Sequence, residues 1–419
     1  MIDGIRFPFS TFVATRVMIR RRNQTQDAPL SLKVEMQYVS SEKDKQQSWS
    51  DEGKNLLWPT IAILVDAIIC TAILLRVPYT EIDYSTYMQQ VTLFESGERD
   101  YYQIYGDTGP LVYPAGFLYF FSGMKWLVGG SIRSAQVIFA AMYLATAFIS
   151  MRNGMKSKLS FWALCLVILS RRTHSIFLLR LFNDGVCALL GQLSVMFFVD
   201  KRWTMGCVFL SLAVSMKMSA LLFAPGVAFL LFQNLSFWSA IGHILLVCGG
   251  IQLLLGLPFL TTHPIAYIHK AFELTRVFEL KWSVNYQFLT NEVFTSKSVS
   301  ILLLFFTMGL YVLFYRKVWL RRKNDILLIL LSSNFIGIVA SRTIHFQFYA
   351  WYSFTLPALA LLGNWTKTKL DWLIRIVVLV GIEYVYNYPG VGDNPSTPTS
   401  SIVWHILHHV LLWGLVKTV

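Results

Sequence analysis

From Leu56 almost to the carboxyl end, long apolar runs alternate with short polar or basic stretches. A helix needs roughly 20 mostly apolar residues to cross a bilayer. Runs at about 56–75, 111–128, 135–151, 159–170, 184–198, 205–214, 220–231, 237–259, 299–315, 326–340, 348–362, 372–386 and 402–416 meet or approach that length. The pattern predicts an all-α polytopic membrane protein with about eleven to thirteen spans. Several runs are short, and Ser170-Arg171-Arg172-Thr173 interrupts one apolar region. That region reads as a broken helix or as paired short helices lining a cavity.

Residues 1–55 are polar, of mixed charge and rich in arginine at Arg20, Arg21 and Arg22. They read as a flexible cytosolic tail before a single multi-span domain over 56–419. A first span that starts in the cytosol puts the polar loop at about 79–110 on the far side of the membrane. A second long polar loop, 261–297, carries His263, Tyr267, His269, Lys270, Arg276, Lys281, Trp282, Asn285 and Tyr286. Within it, 265–280 is suited to an interfacial helix. The basic run 316–323 belongs to the cytosolic side.

The 419 residues are 55% hydrophobic and only 14% charged, with a mean hydropathy of +0.52, which excludes a soluble domain. A net charge of +13 raises nucleic acid as a partner, but the basic residues sit in short inter-span loops. Membrane lipid headgroups are the expected partners and nucleic acid is not. The five cysteines all fall in apolar runs without a CxxC pair, so they read as small core residues. Residues 7–17 are broken by polar positions and Arg16, unlike a secretory signal, so insertion relies on the first span. Sequons begin at Asn23, Asn234 and Asn364.

The densest chemistry lies in the 79–110 loop, where Glu81 and Asp83 follow the first span among tyrosines. A carboxylate held at a membrane–water boundary can deprotonate a substrate hydroxyl. A helix would turn these two acids about 200° apart and a strand would place them on one face; solvation alone is the competing reading. Tyr105 and Asp107 belong to Tyr105-Gly106-Asp107-Thr108-Gly109-Pro110, a turn by composition. It lacks the preceding strand and the lysine of a nucleotide loop.

Arg180 lies four residues before Asp184, and an arginine at that depth needs either that aspartate or an anionic ligand such as a lipid phosphate. Lys217 is a similar cation, whose other option is to snorkel to an interface. Arg342, His345, Gln347 and Tyr349 stand among aromatics, a setting for an interfacial belt or for a sugar or phospholipid headgroup. Asp66 falls mid-span, as a functional carboxylate or a helix–helix hydrogen-bonding one. His405, His408 and His409 share a helix face without an acid motif, and no metal is expected.

The segments TEIDYSTYMQQ, YGDTGPLVYPAGF, SIFLLRLFND, SLAVSMKMSALLFAPG, GLPFL, SVNYQFL, SNFIGI and HFQFYAWYSFTLP follow one another over about 76–357. Together they resemble the dolichyl-phosphate-mannose-dependent α-1,3-mannosyltransferases of endoplasmic-reticulum N-glycosylation. The resemblance implies a GT-C fold with a lumenal active site and no cofactor. It implies dolichyl-phosphate mannose as donor and the five-mannose dolichyl-pyrophosphate-linked oligosaccharide as acceptor. A β-linked donor and an α-linked product imply one inverting displacement and one general base. That family keeps an acid in the first lumenal loop, where the matching positions are Asp83, expected as the base, and Glu81, expected to orient the acceptor. Arg180, Lys217, Arg342 and His345 are the expected phosphate partners. Another lumenal transferase of the same fold is the near alternative. A lipid transporter or scramblase, with buried charges meeting near the midplane, is the distant one.

Overall fold

The computed structural model describes residues 56–273, 279–363, 365, 368–388 and 396–417. The tail 1–55 with its Asn23 sequon, Arg276, and Asn364 and Thr366 of the last sequon lie outside them. The described residues from Pro59 on belong to one compact unit, and the site described below lies in it.

Helix α1, Leu56–Arg76, shows what a bilayer does to a helix pattern. Ala62, Asp66 and Cys70 recur every four residues and are buried, while Leu64, Ile68 and Leu75 are exposed. Lipid accepts the leucines without protein cover, so the small and polar stripe turns inward. There Asp66 meets His174, whose Nε2 lies 2.8 Å from Oδ1.

The remaining longer helices are α2 Tyr84–Glu95, α3 Gly116–Val128, α4 Ile132–Lys156, α5 Phe161–Leu169, α6 Arg171–Leu179, α7 Asn183–Val199, α8 Trp203–Met216, α9 Met218–Asn234, α10 Phe237–Leu260, α11 Pro264–Ala271, α12 Lys297–Trp319, α13 Ile326–Val339, α14 Leu356–Leu362, α15 Lys369–Asn387 and α16 Pro398–Val416, with a short helix Asn291–Thr295 before α12. Among the described residues, α1, α4, α10, α12 and α16 are long and apolar enough to cross a membrane. The pair α5 and α6, bent by 51° at Ser170, makes a sixth if it is one broken span. Helices α7, α8, α9 and α13 are the shorter apolar pieces. The chain is a multi-pass membrane protein.

Two sequence expectations change. The run 348–362 is not one span: it is a tight helical turn Phe346–Trp351, another at Ser353–Thr355, and then α14. Its backbone is held from the side, with Asn334 of the buried α13 donating to the Trp351 carbonyl at 3.1 Å. The interfacial helix expected over 265–280 ends at Ala271, as α11.

The polar loop after α1 is a folded layer with its own core. Tyr84, Tyr87, Val91, Tyr101, Ile104 and Leu111 pack with Phe117, Leu118 and Phe121 of α3 and Val214 and Met216 of α8. Its tip is a two-residue hairpin, β1 Tyr105–Gly106 against β2 Gly109–Pro110. Gly109 has φ +137°, which a side chain would strain, and a Cβ on Gly106 would come within 2.7 Å of Thr86. Glycine at both places lets the hairpin lie flat on α2.

Candidate active site

Asp83 immediately precedes α2, where an aspartate ordinarily accepts a helix amide. It does not do so here. Glu81 takes that task, accepting the Ser85 N–H at 3.0 Å and the Tyr79 hydroxyl. The two acids therefore part company: Glu81 is exposed and caps the helix, and Asp83 is half-buried. Burial raises the Asp83 pKa above the usual carboxylate range. A Thr108 hydrogen bond and the Lys217 ammonium pull it down, and the charges of Asp184 and Glu81 push it further up.

Those influences identify the neighbours. Lys217 is the extended residue at which α8 stops before α9 begins, and its Nζ donates to Asp184 Oδ1 and Oδ2 at 2.8 and 2.9 Å. Asp184 is fully buried in the first turn of α7, an end of the helix that favours a carboxylate. Trp351 donates its indole N–H to the same carboxylate at 2.6 Å. The Lys217 ammonium also lies over the rings of Tyr113 (5.5 Å), Phe348 (4.8 Å) and Trp351 (5.5 Å), which attract a cation. His345 stacks on Phe348 at 5.0 Å and Phe348 on Trp351 at 4.0 Å, so the late aromatic stretch joins the same constellation.

A second cationic group stands beside it. The Thr80 N–H donates to the Leu179 carbonyl at 2.9 Å, which ties the loop carrying Asp83 to the end of α6, next to Arg180. Arg180 does not pair with Asp184; it donates to the Ser175 hydroxyl, and its Nε is buried without a partner. Its guanidinium lies 5.7 Å from the Phe346 ring, and that of Arg172 lies 5.4 Å from the same ring. The two cations are close enough to repel. Arg172 is anchored by Nε to the Tyr386 carbonyl at 2.6 Å. Beneath it Glu383 accepts from Ser170 (2.8 Å), Tyr349 (2.9 Å), the Arg172 N–H (3.1 Å) and Asn387 (2.7 Å).

The other expected residues fall elsewhere. Asp107 is exposed and clasped by Gln89, whose amide donates to it at 2.6 Å and accepts its N–H at 2.8 Å, so it holds the hairpin to α2. Tyr105 is exposed beside it. Arg342 donates to the Phe294 carbonyl at 3.3 Å, Gln347 is half-buried, and Tyr349 is engaged by Glu383. His405 bonds the Asn285 carbonyl, His408 meets the Tyr352 hydroxyl, and His409 faces the His405 carbonyl, so the three do not converge. Among the described residues, Asp66, Cys70 and His174 are the group with metal-ligand spacing, their ligand atoms within 4.8 Å of one another. The Asp66–His174 hydrogen bond already uses two of them.

Sequence reasoning passed over Tyr113, Thr108, Trp351, Arg172 and Glu383. Arg172 was visible as a charge inside an apolar region, and Glu383 as the acid within α15. Tyr113, Thr108 and Trp351 carried no signal beyond lying in the aromatic and turn segments.

Comparison with known proteins places the chain in a family. The family model described as "ALG3 protein" matches residues 60–401. The Arabidopsis thaliana protein named Dol-P-Man:Man(5)GlcNAc(2)-PP-Dol alpha-1,3-mannosyltransferase is 40% identical over 389 residues, 84% of this chain and 86% of its own length. The Mus musculus protein of the same name is 41% identical over 407 residues, 88% of this chain and 90% of its own. Among solved structures, ArnT from Cupriavidus metallidurans bound to undecaprenyl phosphate is similar at 13% identity and a TM-score of 0.47, covering 86% of this chain and 78% of that one. The family match encloses Asp83, Asp184, Lys217, both arginines beside Phe346 and the aromatic stack, and the chain belongs to the ALG3 protein family.

Proposed function

We propose that this chain transfers mannose from dolichyl-phosphate mannose, in α-1,3 linkage and with inversion, to the five-mannose dolichyl-pyrophosphate-linked oligosaccharide. The reaction takes place in the lumen of the endoplasmic reticulum on a GT-C scaffold. The relatives' names supply the donor and acceptor. The observation that carries the chemistry is an inward-turned, half-buried carboxylate, Asp83, beside the Lys217–Asp184 pair.

Asp83 accepts the proton of the acceptor hydroxyl while that oxygen bonds to the sugar's anomeric carbon. The bond from that carbon to the phosphate oxygen breaks, and its electron pair leaves with dolichyl phosphate. A base with a raised pKa keeps a stronger pull on the hydroxyl proton than a solvated aspartate does. Arg180, with Arg172 across the Phe346 ring, receives the leaving phosphate. Lys217 already shares its charge with Asp184, and it serves to position Asp83.

The test is Asp83→Asn in purified protein given dolichyl-phosphate mannose and the five-mannose lipid. Removing a general base lowers turnover by roughly 10²–10⁴-fold. Near-normal turnover removes Asp83 from that role. If the wild-type chain transfers nothing between these two substrates yet uses another polyprenyl-linked sugar, the substrate assignment fails instead.

A further inference from the structure

The end of the molecule opposite the site carries a cavity of about 590 Å³ lined by six cations, Lys156, Lys158, Lys201, Arg321, Arg322 and Lys323, against one acid, Asp325. Helix α4 fixes the separation. Gln136, near its start, donates to the Leu178 carbonyl beside the arginines, and Lys156 is its last residue. The intervening helix is about 30 Å long, the thickness of the hydrocarbon layer. The cavity therefore lies at the opposite membrane face and is not part of the Asp83 site.

Lys156 is satisfied internally by Asp200 at 2.5 Å and Arg322 by Asp325 at 2.6 Å. Among the described residues, Lys158, Lys201 and Lys323 have no acidic partner. Lys158 and Lys201 stand just past the ends of α4 and α7 in the left-handed conformation, at φ +61° and +57°. Glycine is the usual residue at such a helix end. A lysine near a helix C-terminus is favoured by the helix dipole, which accounts for one charge at each end. It does not account for the gathering of ammonium groups from three connections around one cavity.

Ser157, Asn324, Val199, Ile326 and Leu327 complete the lining. The basic run at 321–323 follows α12, whose Leu302, Phe305, Met308 and Val312 are exposed along its length. The cavity thus opens at headgroup level beside a lipid-facing helix. Its volume falls within the range of small-molecule sites. We propose that it binds the headgroup of a polyphosphorylated glycerophospholipid in the leaflet opposite the active site. An ordinary phosphodiester lipid brings one negative charge. A phosphomonoester on the headgroup brings the additional charge that three unpaired ammonium groups call for.

The experiment compares the full-length wild type with the Lys158→Ala/Lys201→Ala/Lys323→Ala variant in phosphatidylcholine nanodiscs. The discs are doped either with a few mole per cent phosphatidylinositol 4-phosphate or with phosphatidylserine at matched charge. Lipid retained by the protein is read by native mass spectrometry. The expected result is selective retention of the phosphoinositide by the wild type, weakened about tenfold or more in the variant and declining with salt. Equal melting temperatures in detergent show that both proteins are folded. Equal retention of the two anionic lipids, or unchanged retention in the variant, overturns the proposal. Displacement of the lipid by free inositol bisphosphate at comparable concentration overturns the lipid assignment and leaves a site for soluble polyanions.

Discussion

Replacing Lys217 by Met removes a charge at nearly constant volume and leaves Asp184 fully buried, with Trp351 as its remaining side-chain donor. Breaking one side of a buried ion pair costs about 3–5 kcal/mol, because the surviving charge stays desolvated. The position of Asp184 in the first turn of α7 offsets up to about 1–2 kcal/mol of that. A loss of about 3 kcal/mol is expected, read as a fall in thermal and denaturant stability in detergent. Adding Asp184→Asn neutralises the orphaned carboxylate, and the double variant recovers much of the loss. The activity assay reads a separate consequence. The Lys217 ammonium lowers the Asp83 pKa, so its removal lets that pKa rise further above the ordinary carboxylate range. The base must be ionised to act, and the acid limb of the pH–rate profile moves to higher pH. A double variant no more stable than Lys217→Met, together with an unmoved acid limb, would refute the assigned roles of the pair.

Asp83→Asn has a stability signature as well as a catalytic one. Because burial raises the folded-state pKa, ionised Asp83 destabilises the fold at pH above that value. At neutral pH the Asn variant melts higher than the wild type, and the difference disappears once the pH falls below the ordinary carboxylate pKa, where both states bind the proton. Gly109→Ala meets backbone strain at φ +137° and loosens the hairpin on α2, which raises the acceptor KM more than it lowers kcat. Asp107→Ala loses the Gln89 amide donation and keeps the backbone N–H bond to Gln89, so it has a smaller effect in the same direction, about 1 kcal/mol or less. Glu383→Gln puts an amide NH2 where one carboxylate oxygen accepts two of the four donors, and an activity loss unaccompanied by any destabilisation would contradict its structural part.

What the sequence made legible was local. The apolar runs located most helices, the interruption at Ser170 marked the bent pair, and the polar loop after α1 stood out as the place where acids leave the bilayer. The separation of Glu81 from Asp83 was left open, since a helix turns the two acids about 200° apart and a strand puts them on one face, and neither pattern says which acid turns inward. It arises because Glu81 caps α2 from outside. The partner of Asp184 was also hidden: Arg180 is four residues away in sequence, yet Lys217, thirty-three residues on, takes the carboxylate from the break between the 205–214 and 220–231 runs. Trp351 reaches it across 167 positions. Short-range patterns report which face of a helix is apolar, whereas a buried ion pair depends on which helices become neighbours.

The charges of the site give the proposed reaction a direction. Around Asp83 two carboxylates face one ammonium, a surplus of negative charge suited to a neutral acceptor hydroxyl and adverse to a phosphate. At Phe346 two guanidinium groups stand over the Glu383 network, a surplus of positive charge. A donor phosphodiester carries one negative charge and the departing dolichyl phosphate up to two, so charge develops at the arginine side as the bond breaks. Preorganised cations there stabilise the transition state more than the bound donor. Arg180→Ala should therefore lower kcat, and not only raise the donor KM, by roughly 10²–10³-fold, the size seen when one preorganised donor to a developing anion is removed. Arg180→Lys keeps the charge and loses the planar, multi-donor guanidinium, so partial recovery of kcat is expected. A variant impaired in donor KM alone would show that the arginines hold the donor equally in ground and transition states, and the leaving phosphate would then have to be stabilised elsewhere.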